Sequence, residues 1–206
     1  MNALTTTRLP YHAYNQNVAR QMACLTEIVQ LNPVLKKVFD QAPDLGLESY
    51  YVGAGCIAQS VWNYVSGFPA DRGISDIDFV YYDPNLSYDK ENEVIVRVQA
   101  LYRGIPIQMD VKNQARVHLW YERHFGYPIE PYGSVEAAIN TWPTTATAVG
   151  IRRHADGEWH VYAPYGLNDL FGLIVRPNKT QITKEIYERK TARWAQIWPQ
   201  LTIIPW

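Results

Sequence analysis

Three carboxylates stand at spacings that suit a divalent metal ion. Asp76 and Asp78 are two residues apart in a strand-like run, Ile74 to Tyr82, and side chains two apart on a strand point to the same face. Asp110 lies on the polar side of a later run, from residue 105 to 112, in which apolar and polar residues alternate. If these two strands are neighbours in register, the three acids converge.

Convergence of three carboxylates has an electrostatic consequence. At about 4 Å, each pair repels by roughly 4 kcal/mol at an effective dielectric constant near 20. A bound Mg²⁺ removes this repulsion, because it prefers hard oxygen ligands and often completes its shell with substrate phosphates. Two such ions can hold the attacking and leaving oxygens of an in-line displacement. The alternative is that Asp76 and Asp78 are solvated acids at a strand end.

A glycine turn precedes the acids. Gly53-Ala54-Gly55 ends a short strand that starts at Tyr50 and leads into a helix expected from about Ile57 to Val65. Glycine has no Cβ, so backbone N–H groups can approach a phosphate closely, and the N-terminus of the helix attracts anions. We therefore predict that Gly53 and Gly55 bind nucleotide phosphates, although a tight turn alone also favours glycine.

Polar residues follow the third acid directly. The guanidinium of Arg116 matches a phosphate in geometry, and we predict nucleotide binding there, with a structural ion pair as an equal alternative. His118 is more typical of a packed histidine than of a base. Asn113 and Gln114 are compatible with a site or with the start of a helix.

Two further residue types leave alternatives open. Trp62 or Trp120 could stack on a nucleobase, although most aromatic residues of this chain are expected in the core. Cys56 follows the glycine turn at the start of a helix, where a thiol pKa can be lowered. Burial as a small apolar residue is the alternative that the sequence favours for Cys56.

The elements that must position these residues alternate in type. Helices are predicted over about 14–31, 33–42, 57–65, 88–102, 113–125, 134–142 and 183–198, and strands over 50–53, 74–82, 105–112, 149–154 and 158–163. The 88–102 segment could also be a strand around residues 94–96. Asp156-Gly157 predicts a hairpin between the last two strands, and a short helical turn is expected from Gly166 to Phe171.

Length and composition limit the class of protein. The 206 residues fit one domain, with N-terminal helices over 1–45, a catalytic core over 46–175 and a C-terminal helix and tail over 176–206. A net charge of −1 without a basic stripe argues against a long nucleic acid as the partner. Two cysteines, no secretory pattern in the first 12 residues and no membrane-spanning run predict a cytoplasmic protein, and we expect a monomer.

In these motifs the sequence resembles the nucleotidyltransferase superfamily related to DNA polymerase beta. The signature of that superfamily is a glycine-rich strand–helix turn, an Asp-x-Asp strand and a third carboxylate on a later strand. The resemblance is closer to a bacterial nucleotidyltransferase-like family that has been named from sequence. The matching stretches lie within about residues 50–175: VGAGCIAQSVWNYVSGFP, DIDFVYYD, DVKNQARVHLW, WPTTATAVGIR and APYGLNDLF.

The resemblance implies an α+β nucleotidyltransferase fold: a mixed β-sheet with helices packed on it and an N-terminal helical segment. It also implies Mg²⁺-dependent transfer of a nucleoside monophosphate from an NTP to an acceptor hydroxyl. Asp76, Asp78 and Asp110 would bind the metal and carry the catalysis. The acceptor could be a small molecule, a protein side chain or an RNA end, and the weak net charge favours the first two. The turn reads Gly-Ala-Gly-Cys, without the hydroxyl common in the superfamily. A nucleotide-binding or regulatory module of the same fold is therefore the alternative.

Overall fold

The computed structural model describes residues 13–206, so the expectation about a secretory pattern in residues 1–12 lies outside the described residues. The helices are α1 (Val18–Leu31), α2 (Pro33–Gln41), α3 (Gly55–Ser66), α4 (Tyr88–Leu101), α5 (His118–Phe125), α6 (Val135–Ile139), α7 (Asn168–Phe171) and α8 (Lys184–Ile197). Short 3₁₀ turns cover Ala42–Leu45 and Gln114–Arg116.

A mixed five-stranded sheet forms the centre of the fold. Its strands are β1 (Tyr50–Gly53), β2 (Asp76–Tyr81), β3 (Gln108–Asn113), β4 (Gly150–Arg153) and β5 (Trp159–Tyr162), in the order β3-β2-β1-β4-β5. β2 and β3 are parallel, whereas the other neighbours are antiparallel. This confirms the expected α+β class with a mixed sheet, and also the hairpin formed by β4 and β5.

Several helices begin at the residues predicted from the sequence, because a side chain caps each of them there. Asn32 accepts hydrogen bonds from the N–H groups of Val34 and Leu35 at 3.0 and 3.3 Å and so begins α2. Ser134 and Thr183 cap α6 and α8 in the same way. The first helix begins later than predicted, at Val18, since Asn17 is its cap.

Other boundaries differ from the predictions for local reasons. Residues 102–105 form a turn in which Gly104 has a φ of 88°, so the strand predicted from 105 begins at Gln108. Asn113 is the last residue of β3, and α5 starts only at His118. The segment predicted as a helix over 88–102, with a strand as the alternative, is the helix α4. The tail forms β7 (Thr202–Ile203), which pairs in parallel with an unpredicted β6 (Ile174–Val175).

The two faces of β2 have different environments. Ile77 and Phe79 are fully buried in the main hydrophobic core, which also includes apolar residues of α1, α2 and α3. Asp76 and Asp78 alternate with them and lie on the opposite face. None of the helices within residues 13–206 combines the length and the apolar character needed to cross a membrane.

A tryptophan cluster fixes α8 against α3. The ring of Trp62 meets those of Trp194 and Trp198 edge-on, with centroid separations of 5.5 and 5.4 Å. Trp198 also donates a hydrogen bond from Nε1 to Oδ1 of Asn63 at 2.7 Å. The helix that follows the glycine turn is thus packed directly against the C-terminal helix.

Candidate metal and nucleotide site

Strand register brings the three predicted acids together. β2 pairs with β3 so that Asp78 lies opposite Asp110, and β1 pairs with β2 so that Gly53 lies opposite Asp78. One carboxylate oxygen from each of Asp76, Asp78 and Asp110 lies within 4.8 Å of the others. The predicted convergence is therefore confirmed, and Asp76 is the most exposed of the three.

Like charges perturb the central acid. Burial, followed by the negative charges of Asp76 and Asp110, raises the pKa of Asp78 from its usual value to about 7. Asp110 accepts a hydrogen bond from the ammonium of Lys112, and Asp76 accepts one from the Ser75 hydroxyl. The donor set consists of hard oxygens with excess negative charge, which fits Mg²⁺ or a similar divalent cation.

Close packing explains the first glycine of the turn. A Cβ on Gly53 would lie 2.6 Å from the carbonyl oxygen of Val149 and 2.8 Å from the ring of Trp142. Ala54 follows with a φ of 56° and donates its N–H to the same Val149 oxygen at 3.0 Å. α3 then begins at Gly55, so its free N–H groups lie at the turn beside the acids.

Cys56 is engaged by the glycine turn itself. Its thiol donates to the carbonyl oxygen of Gly53 at 3.0 Å, and the side chain is buried. Burial raises the pKa of this thiol well above its usual value. Of the two sequence alternatives, the buried one describes Cys56, and its sulfur holds the turn instead of meeting a ligand.

A cleft of about 220 Å³ opens beside Asp78. Most of its lining is apolar or aromatic, as in many ligand sites, and includes Trp120, Trp142 and Ile186. Trp62, the other tryptophan considered for stacking, is fully buried in the cluster with α8. Trp120, which was predicted, and Trp142, which was not, therefore provide aromatic surface on which a nucleobase can stack.

Sequence reasoning missed one charged residue of the cleft. Lys190 on α8 lines it, half-buried, and burial lowers the pKa of its ammonium while the negative charges of Asp78 and Asp76 oppose that effect. A signal was present: Ile182, Ile186 and Lys190 follow at four-residue intervals, which puts a cation in line with an apolar stripe.

Arg116 lies apart from the triad. Its Nε donates to a carboxylate oxygen of Glu91 at 2.7 Å, in an ion pair that is largely buried, and another guanidinium N–H donates to the Leu86 carbonyl. It does not line the cleft beside Asp78. The structure thus places Arg116 in the structural ion pair that the sequence left as the equal alternative to phosphate binding.

The remaining polar residues after Asp110 divide in the same way. Asn113 is buried, and its Oδ1 accepts hydrogen bonds from the N–H groups of Asp83 and Ala115 at 3.0 and 3.1 Å. Gln114 lines the cleft, whereas His118 does not. Asn113 therefore joins the segment that follows β2 to the segment that follows β3, and Gln114 is the residue of this group that can reach a ligand.

Comparison with known proteins agrees with this geometry. A family model described as Nucleotidyltransferase matches residues 40–203. A solved NMR structure, described as revealing a CCA-adding enzyme head domain, shares the fold with a TM-score of 0.71 and 24% identity, over 92% of this chain and 97% of that one. No curated protein matches the chain. The family match covers most of the sequence, including all three acids, and the chain belongs to the nucleotidyltransferase family.

Proposed function

We propose that this protein is a Mg²⁺-dependent nucleotidyltransferase that moves a nucleoside monophosphate from an NTP to an acceptor hydroxyl. The observation that carries the proposal is the alignment of Gly53, Asp78 and Asp110 across three adjacent strands. It sets a phosphate-accessible turn next to a carboxylate triad. The family match supports the reaction class.

The carboxylates have separate parts in this proposal. Asp76 and Asp78 would hold one divalent cation and, through it, the NTP phosphates, and Asp110 would bind a second cation. When bound, the metal neutralises phosphate charge and favours ionisation of the acceptor hydroxyl. Asp110 takes up the proton of that hydroxyl as its oxygen attacks the α-phosphorus. A new phosphate ester bond forms, the bond to the β-phosphate oxygen breaks, and pyrophosphate leaves.

The turn and the cleft position the nucleotide. The backbone N–H groups at the start of α3, from Gly55 onward, receive the phosphates in this proposal, and Gly53, packed against Val149 and Trp142, holds the turn beside the acids. The rings of Trp120 and Trp142 provide apolar surface for the base and exclude water. We assign no substrate contact to Arg116, because its guanidinium is engaged by Glu91 and Leu86.

The acceptor class follows from charge. A net charge of −1 suits a small molecule or a protein hydroxyl better than a long nucleic acid. The structurally similar protein is described as a CCA-adding enzyme head domain, so an RNA 3′ end belongs in any acceptor panel. A monomeric state and a cytoplasmic location stay predictions.

The direct test is transfer itself. Each of the four NTPs, labelled at the α-phosphate, is incubated with Mg²⁺ and a panel of small-molecule, protein and RNA acceptors, and labelled product and pyrophosphate are measured. We expect transfer by the wild type and a loss of about a thousandfold or more in Asp78→Asn and Asp110→Asn. Asp71→Asn, an exposed acid in the loop before β2, is the matched control. Wild-type rates in Asp78→Asn would contradict the proposal.

One observation favours a second candidate, a nucleotide-binding module without turnover. The turn carries no hydroxyl, and its thiol, on Cys56, points to the Gly53 carbonyl instead of the cleft. Such a module binds NTP tightly in the presence of Mg²⁺. It releases no pyrophosphate with any acceptor of the panel.

A further inference from the structure

Two ammonium groups line the cleft, and they differ in their partners. Lys112 is bonded to the Asp110 carboxylate. Lys190 has no carboxylate oxygen within 4.0 Å of its Nζ among residues 13–206. Arg116, the cation that the sequence had suggested, is paired with Glu91 outside the cleft. Lys190 is thus the cleft cation that remains available to an incoming anion.

The position of Lys190 is unfavourable without a ligand. A lysine that is partly buried loses hydration, and proteins rarely bury one without a paired anion. The helix that carries Lys190 is fixed, because Trp194 of α8 packs on Trp62 of α3. Tyr187, in the preceding turn, donates its hydroxyl to the Val175 carbonyl at 2.9 Å. The backbone of α8 is therefore fixed at Lys190, and the side chain of Lys190 lines the same cleft as Asp78.

The surrounding charges favour an anion once metal is bound. Asp78 and Asp76 are the negative groups that act on Lys190, and Arg189 and Arg193 on the same helix add positive charge. Divalent ions on the triad would neutralise the carboxylates. Lys190 would then be a positive charge without a local counter-ion, next to the place where metal-bound phosphates must lie.

We propose that Lys190 binds a phosphate oxygen of the nucleoside triphosphate. The Gly-Ala-Gly-Cys turn has no hydroxyl with which to contact a phosphate. In this arrangement Lys190 on α8 supplies that contact from the other wall of the cleft. The inference rests on the proposed function, since it takes the triphosphate as the ligand. A lysine acts here as a point charge, so it reads the number of phosphates and not the base.

The test separates phosphate recognition from base recognition. Dissociation constants are measured with Mg²⁺ for an α,β-methylene NTP analogue, which does not transfer, and for the matching nucleoside. We expect Lys190→Met to weaken analogue binding by about ten- to a hundredfold, with nucleoside binding unchanged and Lys190→Arg close to the wild type. Lys184→Met on the same helix, where the lysine is exposed and paired with Glu188 at 3.8 Å, should bind both like the wild type.

A second measurement needs no variant and so does not depend on the folding of Lys190→Met. Lysines of the wild type are acetylated with and without ligand and quantified by mass spectrometry. We expect the Mg²⁺–analogue complex to protect Lys190, the nucleoside to leave it reactive, and Lys184 to react equally in all samples. Unprotected Lys190 in a protein that binds the analogue and transfers nucleotide overturns this inference alone. A wild type that neither binds the analogue nor transfers overturns the proposed function with it.

Discussion

Replacing Asp78 with asparagine should stabilise the metal-free protein, and increasingly so as the pH rises. Burial and the charges of Asp76 and Asp110 raise the pKa of this carboxyl from 3.8 to about 7. The folded state therefore holds a proton between these pH values that the unfolded state has already released. Stability from this group is complete below pH 4 and is lost as the pH rises to 7.

The size of the effect follows from the pKa difference. A difference of about 3, at about 1.4 kcal/mol for each unit, gives about 4 kcal/mol, which is an upper limit because solvent reaches the half-buried site. At pH 8 without metal, Asp78→Asn should exceed the wild type in free energy of unfolding by several kcal/mol. At pH 4 the two proteins should differ little, since Asp78 is protonated in the folded state and its carboxyl is still about half protonated in the unfolded state.

Urea denaturation in EDTA at pH 4, 6 and 8 measures this difference, and Asp71→Asn serves as the control with an exposed acid. Titrating groups far from Asp78 cancel between variant and wild type, whereas Asp76 and Asp110 lose a repelling neighbour in the variant. Mg²⁺ should stabilise the wild type at pH 8 and have far less effect on Asp78→Asn, because the variant lacks the central ligand. Parallel stability curves for the two proteins from pH 4 to 8 would refute the reasoning.

Three further predictions concern residues around the triad. Lys112→Met should tighten Mg²⁺ binding without nucleotide, by up to about fivefold in calorimetry, because the ammonium no longer competes for Asp110; weaker binding would contradict this. Gly53→Ala should lower the free energy of unfolding by about 1–3 kcal/mol in urea, since its Cβ has no room, whereas Gly133→Ala, with nothing within 4 Å, should be neutral. Arg116→Gln should cost about 2–3 kcal/mol of stability while NTP affinity is unchanged; weaker NTP binding would return Arg116 to the site.

The acidic half of the site was predictable because its geometry is local. Alternation along β2 fixes Asp76 and Asp78 on one face whatever the rest of the fold does. The third acid needed one added assumption, that β2 and β3 pair in register; the polar–apolar alternation around Asp110 fixed only its face, and the pairing itself is shown by the structure. The glycine turn was equally readable, because strand, turn and helix follow one another within a few residues.

The basic half depends on how distant elements pack. Whether Lys190 meets the acids is decided by the placement of α8 against α3, more than a hundred residues earlier in the chain, and no local pattern encodes that placement. The sequence left two kinds of anion open for Arg116, a phosphate and a carboxylate. The structure pairs it with Glu91 on α4, a helix that packs on β3. Trp62 and Trp120 are likewise equivalent in sequence, and only tertiary packing buries one of them and leaves the other in the cleft.

The tryptophan cluster between α3 and α8 has a consequence for synthesis. The hydrogen bond from Trp198 to Asn63 joins residues 135 positions apart, so it cannot form until Trp198 has left the ribosome. Until then the carboxylate triad and the glycine turn can assemble, but the wall that carries Lys190 is missing. A nascent chain would thus hold the three acids without the wall of the cleft that α8 forms, until residues 184–198 have been added.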